Sequence, residues 1–408
     1  MVAVTDKEIH IIKNGNVTSP HGFSAGGLHT GIRKTKLDFG WIHSDNPATV
    51  AGVYTLNTFQ AAPLKVTKES IEKDNKIQTV VVNSGVANSC TGKQGMSDAL
   101  EMQKLTADKM NVSTDHVAVA STGLIGVPLP MDNIRTGIEA MTNREHYSPA
   151  NFATAILTTD TVTKHMAVQI EIDGETITIG GAAKGSGMID PNMATMLSFI
   201  TTDAVIDHES LQKALKHTTN QTFNMITVDG DSSTNDMVLV MANGQQNNSV
   251  LNESHPQWND FLQAFQYVCE GLSKQIARDG EGATKLIEVN VTGAASNETA
   301  SQVAKAVISS SLVKTAIYGS DPNWGRIITA VGYSEQPVDP DKVSVSLGEI
   351  AVVESGLPVD FDENEGKQYL ENETVKLNVD LQDGPYEATA WGCDLTYDYV
   401  KINASYRT

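Results

Sequence analysis

Cysteine is scarce in this sequence. Three occur among 408 residues, Cys90, Cys269 and Cys393, far apart and never as C-x-x-C. That argues against a structural zinc site and fits a reducing compartment. Ten histidines are scattered without H-E-x-x-H or any other metal spacing, so no metal is expected. No apolar run reaches the 18 residues of a membrane span. The opening MVAVTDKEIH lacks the basic start and apolar block of a secretory signal, so a cytoplasmic protein with no membrane partner is expected. Positive charge is also short: 29 Lys plus Arg against 49 Asp plus Glu give a formal charge of -20. That excess argues against a nucleic-acid groove. It leaves room for a small anionic substrate, because one local lysine overrides the global field. There is no internal repeat and no low-complexity segment.

What remains is enough chain for two or three domains, rich in glycine at 32 residues, as in a large enzyme with many tight turns. The glycines of HGFSAGGLHTGI (21–32) suggest a phosphate loop, but G-x-G-x-x-G is absent and turns between short strands are the stronger reading. Residues 52–59 alternate as a strand, followed by AAPLKV with Pro63 near its edge. Short buried strands are predicted at Thr79–Val82 and Val117–Ala120, the second ending at Ser121-Thr122-Gly123. Helices are predicted from about Ser97 to Met110 with Leu100 and Leu105 inward, and from Asp132 with Ile134, Ile138 and Met141 inward. Residues 166–179 read as a hairpin turning at Asp173-Gly174. Asp203 or Asp207 starts a further helix carrying Leu211 and Leu215.

Phe223–Val228 is apolar enough for a strand, and the polar loop after it, 229–236, lacks the spacing and closing glutamate of a calcium loop. The clearest helix is 258–277, whose stripe takes Cys269 into the core. A strand follows at Leu286–Val291, then a helix over 299–314 with Val303, Val307 and either Ile308 or Ser311 inward, then a loop at 318–327 holding Trp324 and Arg326. From Val331 short alternating segments at 343–347, 350–353, 375–379 and 386–390 predict a smaller β-rich C-terminal unit. The strand, loop, helix order of the N-terminal half marks a layered α/β protein.

One stretch organises the chain: KGSGMIDPNMATMLSFITTDA, 184–204. A tight loop runs straight into an apolar segment, which places Thr195 at the edge of a buried layer. On pattern alone Thr195 is a strand threonine. As a reactive hydroxyl it needs help, which arrives if the bond after the small Ala194 is cut. The α-amine of Thr195 then serves as its general base.

The motifs GFSAGGLHTGIRK (22–34), AAPLKV (61–66), NSGVANSCTGKQG (83–95), STGLIG (121–126), ILTTDT (156–161) and KGSGMIDPNMATML (184–197) occur in one order. NMITVDGDSSTND (224–236), DGEGATK (279–285), YGSDPNWGRI (318–327) and CDLTYDYVKINASYRT (393–408) continue it. Together the sequence resembles the ArgJ family of arginine biosynthesis, the ornithine acetyltransferases or glutamate N-acetyltransferases. The resemblance implies a layered α/β fold like that of the aminopeptidase DmpA, with a self-processing threonine nucleophile. It implies a cut between Ala194 and Thr195. The α chain, 1–194, would carry the oxyanion loop. In the β chain, 195–408, about 195–285 would complete the main α/β unit and about 286–408 would form a smaller one. Two of each chain would make a heterotetramer.

The implied activity moves acetyl from N-acetylornithine to glutamate through an acetyl-Thr195 ester. No cofactor is required, and acetyl-CoA stays open as a second donor. The resemblance implies an oxyanion hole at Thr122 and Gly123. It implies substrate contacts at Thr158, Lys184, Thr195, Glu281, Asn403 and Thr408. The chemistry agrees: a hydroxyl and a glycine N–H past a strand end suit developing negative charge, and a lysine suits a carboxylate. Val86, Ser89 and Gly392 depart from the family's usual residues, as does the surrounding of Phe59. The competing readings are a DmpA-like amidase that deacylates Thr195 with water, and a silent protein on the same fold.

Overall fold

The computed structural model describes residues 9–190 and 196–405. They form two compact units, one of residues 9–185, 196–220 and 232–272, the other of 186–190, 221–231 and 273–405.

The first unit is built on a sheet of nine strands among the described residues. In chain order these are β1 (His10–Ile11), β2 (Phe23–Leu28), β3 (Phe39–Tyr54), β4 (Lys76–Val86), β5 (Val117–Leu124), β6 (Lys164–Ile172), β7 (Glu175–Lys184) and β8 (Leu197–Thr202). The chain then supplies β9 (Ile226–Thr227) to the second unit and returns as β10 (Met237–Ala242). The order is β1-β6-β7-β8-β10-β3-β4-β5, with β2 on β3. The β4–β5 and β8–β10 pairs are parallel and the rest antiparallel.

Helices α1 (Ala62–Asp74), α2 (Gly92–Met110), α3 (Met131–Ala140), α4 (Pro149–Ala155) and α5 (His208–Gln221) complete this unit. They are joined by most of α6 (Trp258–Arg278). The valine run of β4 shows no alternation because both its faces are covered. Val80 and Val82 join Ala118, Ala120, Phe152 and Phe199 in one apolar cluster. Val81 joins Val117, Val119, Met102 and Ile134 in another.

Several expectations hold in detail. The hairpin pairs Ile172 with Glu175 across Asp173-Gly174. Ile134, Ile138 and Met141 are buried, and so are Leu211, Leu215 and Cys269. The side chain of Asp207, not that of Asp203, receives the Ser210 N–H at the start of α5, at 3.0 Å.

Others change. AAPLKV opens α1 instead of extending a strand, because Pro63 falls in the first turn, where a missing N–H costs nothing. Leu100 points outward from α2 and Leu105 is only half-buried; Ala99, Met102, Thr106 and Ala107 form its inner face. Most of Phe223–Val228 is a turn of 3-10 helix followed by the two-residue β9. The span 299–314 is two helices, α7 (Asn297–Ser309) and α8 (Ser311–Tyr318), broken at Ser310, whose hydroxyl caps the second by accepting from Val313 N–H. Ile308 is the buried residue of the pair considered with Ser311. Trp324 and Arg326 lie in α9 (Trp324–Gly332), beyond the loop.

The second unit carries a seven-stranded sheet among the described residues. After β9 come β11 (Leu286–Ala294), β12 (Ser344–Leu347), β13 (Ile350–Glu354), β14 (Leu357–Pro358), β15 (Thr374–Asp380) and β16 (Tyr386–Cys393), in the order β14-β13-β12-β15-β11-β16-β9. Beyond α7, α8 and α9 it has α10 (Glu363–Leu370) and α11 (Tyr397–Ala404). Gly392 allows the close approach of α7: a Cβ there would meet Ile308 Cγ1 at 2.6 Å.

Candidate active site

Thr122 and Gly123 stand where β5 runs out. The strand continues through both, to Leu124, further than the sequence pattern indicates. Gly123 pairs with Gly85 of β4, and the register becomes irregular at Val86, one of the departing residues. Gly123 has φ +132°, and a Cβ on it would strike the carbonyl of Gly85 and the nitrogen of Val86. Only glycine fits this close approach of two backbones. Thr122 is buried, and its Oγ1 accepts a long hydrogen bond, 3.4 Å, from Lys184 Nζ. Because the hydroxyl accepts from a cation, its own proton remains to be donated, as an oxyanion requires.

Lys184 ends β7, buried, in a small charged network. Asp160 organises it. Its Oδ1 accepts from Lys164 Nζ and from Gly185 N–H, both at 2.7 Å, and its Oδ2 accepts from Thr158 N–H at 2.9 Å. Burial pushes the Asp160 carboxyl up, but Lys184, Lys164 and these hydrogen bonds outweigh it and hold the pKa well below the usual carboxylate range. Asp160 thus faces two lysines, so the three side chains together carry one net positive charge, with Lys184 beside Thr122. Arg33 fixes the same corner, donating to the carbonyls of Leu157 at 2.6 Å and Thr158 at 2.9 Å.

The glycine-rich turn ahead of Arg33 is no phosphate loop. The N–H groups of Thr30, Gly31 and Arg33 are taken by the buried carboxylate of Asp38.

The polar loop that follows β9 also serves this unit through its last residues. Asn235 Nδ2 donates to the carbonyls of Ala87, at 2.5 Å, and Ser121, at 2.9 Å, tying the ends of β4 and β5. Asp236 is buried next to it. Of the departing residues, Ser89 is buried and its hydroxyl faces the Phe59 carbonyl at 3.5 Å.

In the second unit Glu281 and Asn403 meet directly: Asn403 Nδ2 donates to Glu281 Oε2 at 2.7 Å. Glu281 is buried, and its N–H donates to the Ser186 carbonyl at 3.0 Å. Gly187 lies against its carboxylate, where any Cβ would collide. The loop carrying Glu281 is held by Asp394, which accepts from the N–H groups of Thr284 and Lys285, and by Thr396, which donates to the Gly282 carbonyl. Asp229 clamps the segment after Gly187, accepting from Met188 N–H at 2.7 Å and Ile189 N–H at 2.8 Å. Tyr399 donates to Asp229 at 3.3 Å; burial, then Asp229, push its phenol up. Thus Asp229 works as a clamp for backbone donors.

The structure joins Thr122, Gly123, Thr158 and Lys184 within the first unit, and Glu281 with Asn403 within the second. Ala194, Thr195 and Thr408 lie outside the described residues. Sequence reasoning missed Asp160, Lys164, Arg33, Asn235 and Asp229. The available signal was that each sits inside or beside a quoted motif without an apolar role. Among the described residues no group of three or more His, Cys, Asp or Glu is placed to hold a metal, and no helix is long and apolar enough to cross a membrane.

Residues 24–408 match the model of the ArgJ family. Over its whole length the chain is 64% identical to the arginine biosynthesis bifunctional protein ArgJ of Oceanobacillus iheyensis, covering 100% of both. It is 57% identical to the protein of the same description from Staphylococcus aureus strain COL over 399 residues, 98% of this chain and 97% of that one. A crystal structure of the arginine biosynthesis bifunctional protein from Bacillus halodurans matches with TM-score 0.51 and 58% identity, over 52% of this chain and 100% of the solved chain.

Proposed function

The chain belongs to the ArgJ family, and from that premise we propose that it acts through an acetyl ester on Thr195, with the residues above in named roles. The overall reaction is the family's acetyl transfer between N-acetylornithine and glutamate, giving ornithine and N-acetylglutamate. The protein is an acyltransferase of arginine biosynthesis with the family's mixed α/β fold.

In this reading the bond between Ala194 and Thr195 is cut, and the new α-amine takes the proton of the Thr195 hydroxyl as it attacks the acetyl carbonyl. The Thr122 hydroxyl and the Gly123 N–H receive the negative charge that develops on oxygen. Ornithine departs, and the amine of glutamate collects the acetyl group. Lys184 pairs with the α-carboxylate of the bound amino acid, Glu281 and Asn403 meet its amine end, and Thr158 and Thr408 complete the contacts. The steps draw on side chains and the two substrates, with no cofactor.

One observation carries the assignment: a buried lysine, sharing Asp160 with Lys164, donates to the hydroxyl beside a glycine that tolerates no Cβ. The cut has support from length. All of the Bacillus halodurans chain aligns over 52% of this one, and a β chain of the last 214 of 408 residues would be that share. Pairing of two α and two β chains is part of the same proposal.

The relatives are called bifunctional, which supports acetyl-CoA as a second donor. Purified protein is expected to form N-acetylglutamate from glutamate with either N-acetylornithine or acetyl-CoA. Product from N-acetylornithine alone would limit it to the transfer. Free acetate without N-acetylglutamate would make it a hydrolase.

A further inference from the structure

Asp236 is a buried carboxyl of which the fold leaves one oxygen over. It is 3% exposed, and its Oδ2 has no hydrogen-bond partner among the described residues. An unsatisfied buried oxygen costs stability, so a native structure that keeps one calls for an explanation.

Its place in the sheet suggests one. Lys184 pairs with Leu197 across β7 and β8, and Leu197 pairs with Met237 across β8 and β10. The three residues form one row at the end of three adjacent strands. Asp236 is one residue beyond that row, and Met237 N–H donates to the carbonyl of Met196 at 2.9 Å. Residue 195 is one peptide bond from Met196. The preceding Asn235 is bonded to the carbonyl of Ser121, next to Thr122. Asp236 thus belongs to the sheet end that carries Lys184, Thr122 and the start of β8.

Resting on the functional reading above, we propose that Asp236 carries the proton that the acetyl transfer must pass from one amine to the other. The amide nitrogen of N-acetylornithine holds one hydrogen, and ornithine leaves as an ammonium with three. As the bond from carbonyl carbon to nitrogen breaks, one proton comes from the Thr195 hydroxyl and the second from the Asp236 carboxylic acid. Glutamate arrives as an ammonium with three hydrogens and ends as an amide with one. Its first proton goes to the Asp236 carboxylate, freeing an amine to attack. The second returns to the Thr195 oxygen as the ester bond breaks. Acid and carboxylate are each restored once per cycle.

The resting state suits the role. Burial pushes the Asp236 carboxyl well above the usual range, against the opposing pull of hydrogen bonds from Ser233 and the charge of Lys184. Burial thus favours the neutral acid, the form that the first step needs.

The test separates proton transfer from support of the site. The Asp236→Asn variant is assayed in two transfers. One runs from N-acetylornithine to glutamate and needs both proton movements. The other runs from p-nitrophenyl acetate to hydroxylamine: its phenolate leaves without a proton and its amine is uncharged at neutral pH. The expected result is a loss on the order of 100-fold in the first transfer, with the second within about 3-fold of wild type and an unchanged melting temperature. The bulkier Asp236→Leu should give the same split if it folds. Equal loss of both transfers, whether through misfolding or an uncut chain, makes Asp236 a support of the fold and overturns the proposal. No loss in either also overturns it. Wild-type protein that fails the first transfer but performs the second would overturn the functional reading instead, and the proposal with it.

Discussion

Gly123→Ala is expected to lose on the order of 10²–10³ in kcat for acetyl transfer, the usual effect of removing an oxyanion donor. The cause is steric and local. At φ +132° a Cβ on residue 123 would run into the Gly85 carbonyl and the Val86 nitrogen. These atoms are backbone, held in the β4–β5 ladder, so they cannot step aside as a flexible side chain would. The strands must part instead, and the N–H of residue 123 leaves its place beside the Thr122 hydroxyl. Gly126→Ala is the control. That glycine also has positive φ, +79°, but a Cβ there meets nothing within 4 Å. It should cost about 1 kcal/mol of stability through backbone strain and leave kcat near wild type. Steady-state kinetics and thermal melts of both variants decide the matter. Full activity in Gly123→Ala would remove this residue from the oxyanion site.

Thr195→Ala should be purified as one uncut chain and transfer no acetyl, a loss of at least about 10³-fold. Both effects have the same origin. In the proposed mechanism the hydroxyl both opens the bond after Ala194 and later carries the acetyl ester, so its removal leaves no partial activity to fall back on. The wild type should run as two chains on a denaturing gel, of 194 residues and the remaining 214 of 408. Thr195→Ser keeps a hydroxyl and should still be cut. Wild-type enzyme that is active with the bond between residues 194 and 195 intact would contradict the processing step.

The legible parts of the sequence were those where one physical rule acts alone. The hairpin at Asp173-Gly174 follows from strand alternation meeting a turn pair, and the buried stripe of α3 follows from helical spacing. Misreadings arose where tertiary context chose between two local outcomes. Pro63 disfavours a central strand but is at home in a first helical turn. Leu100 has greater apolar weight than Ala99, yet the tight packing of α2 takes the smaller residue inward. Of the candidate site, Thr122, Gly123 and Lys184 stand out through their motifs, and the structure brings Lys184 to Thr122. Asp160 does not stand out, because its significance lies in distances to Lys164, Gly185 and Thr158 that no spacing rule encodes. In the sequence Asp236 is one more polar loop residue; its burial and its unpartnered Oδ2 set it apart.

The proposed acetyl ester on Thr195 can be trapped. The direct test mixes the purified enzyme with N-acetylornithine and no acceptor, quenches it in acid, and maps the acetyl group by peptide mass. One hydroxylamine-labile acetyl group is expected on the peptide that begins at Thr195, released as N-acetylglutamate when glutamate is added before the quench. Full turnover with no acetyl on that peptide, or with the group on another residue, would contradict it.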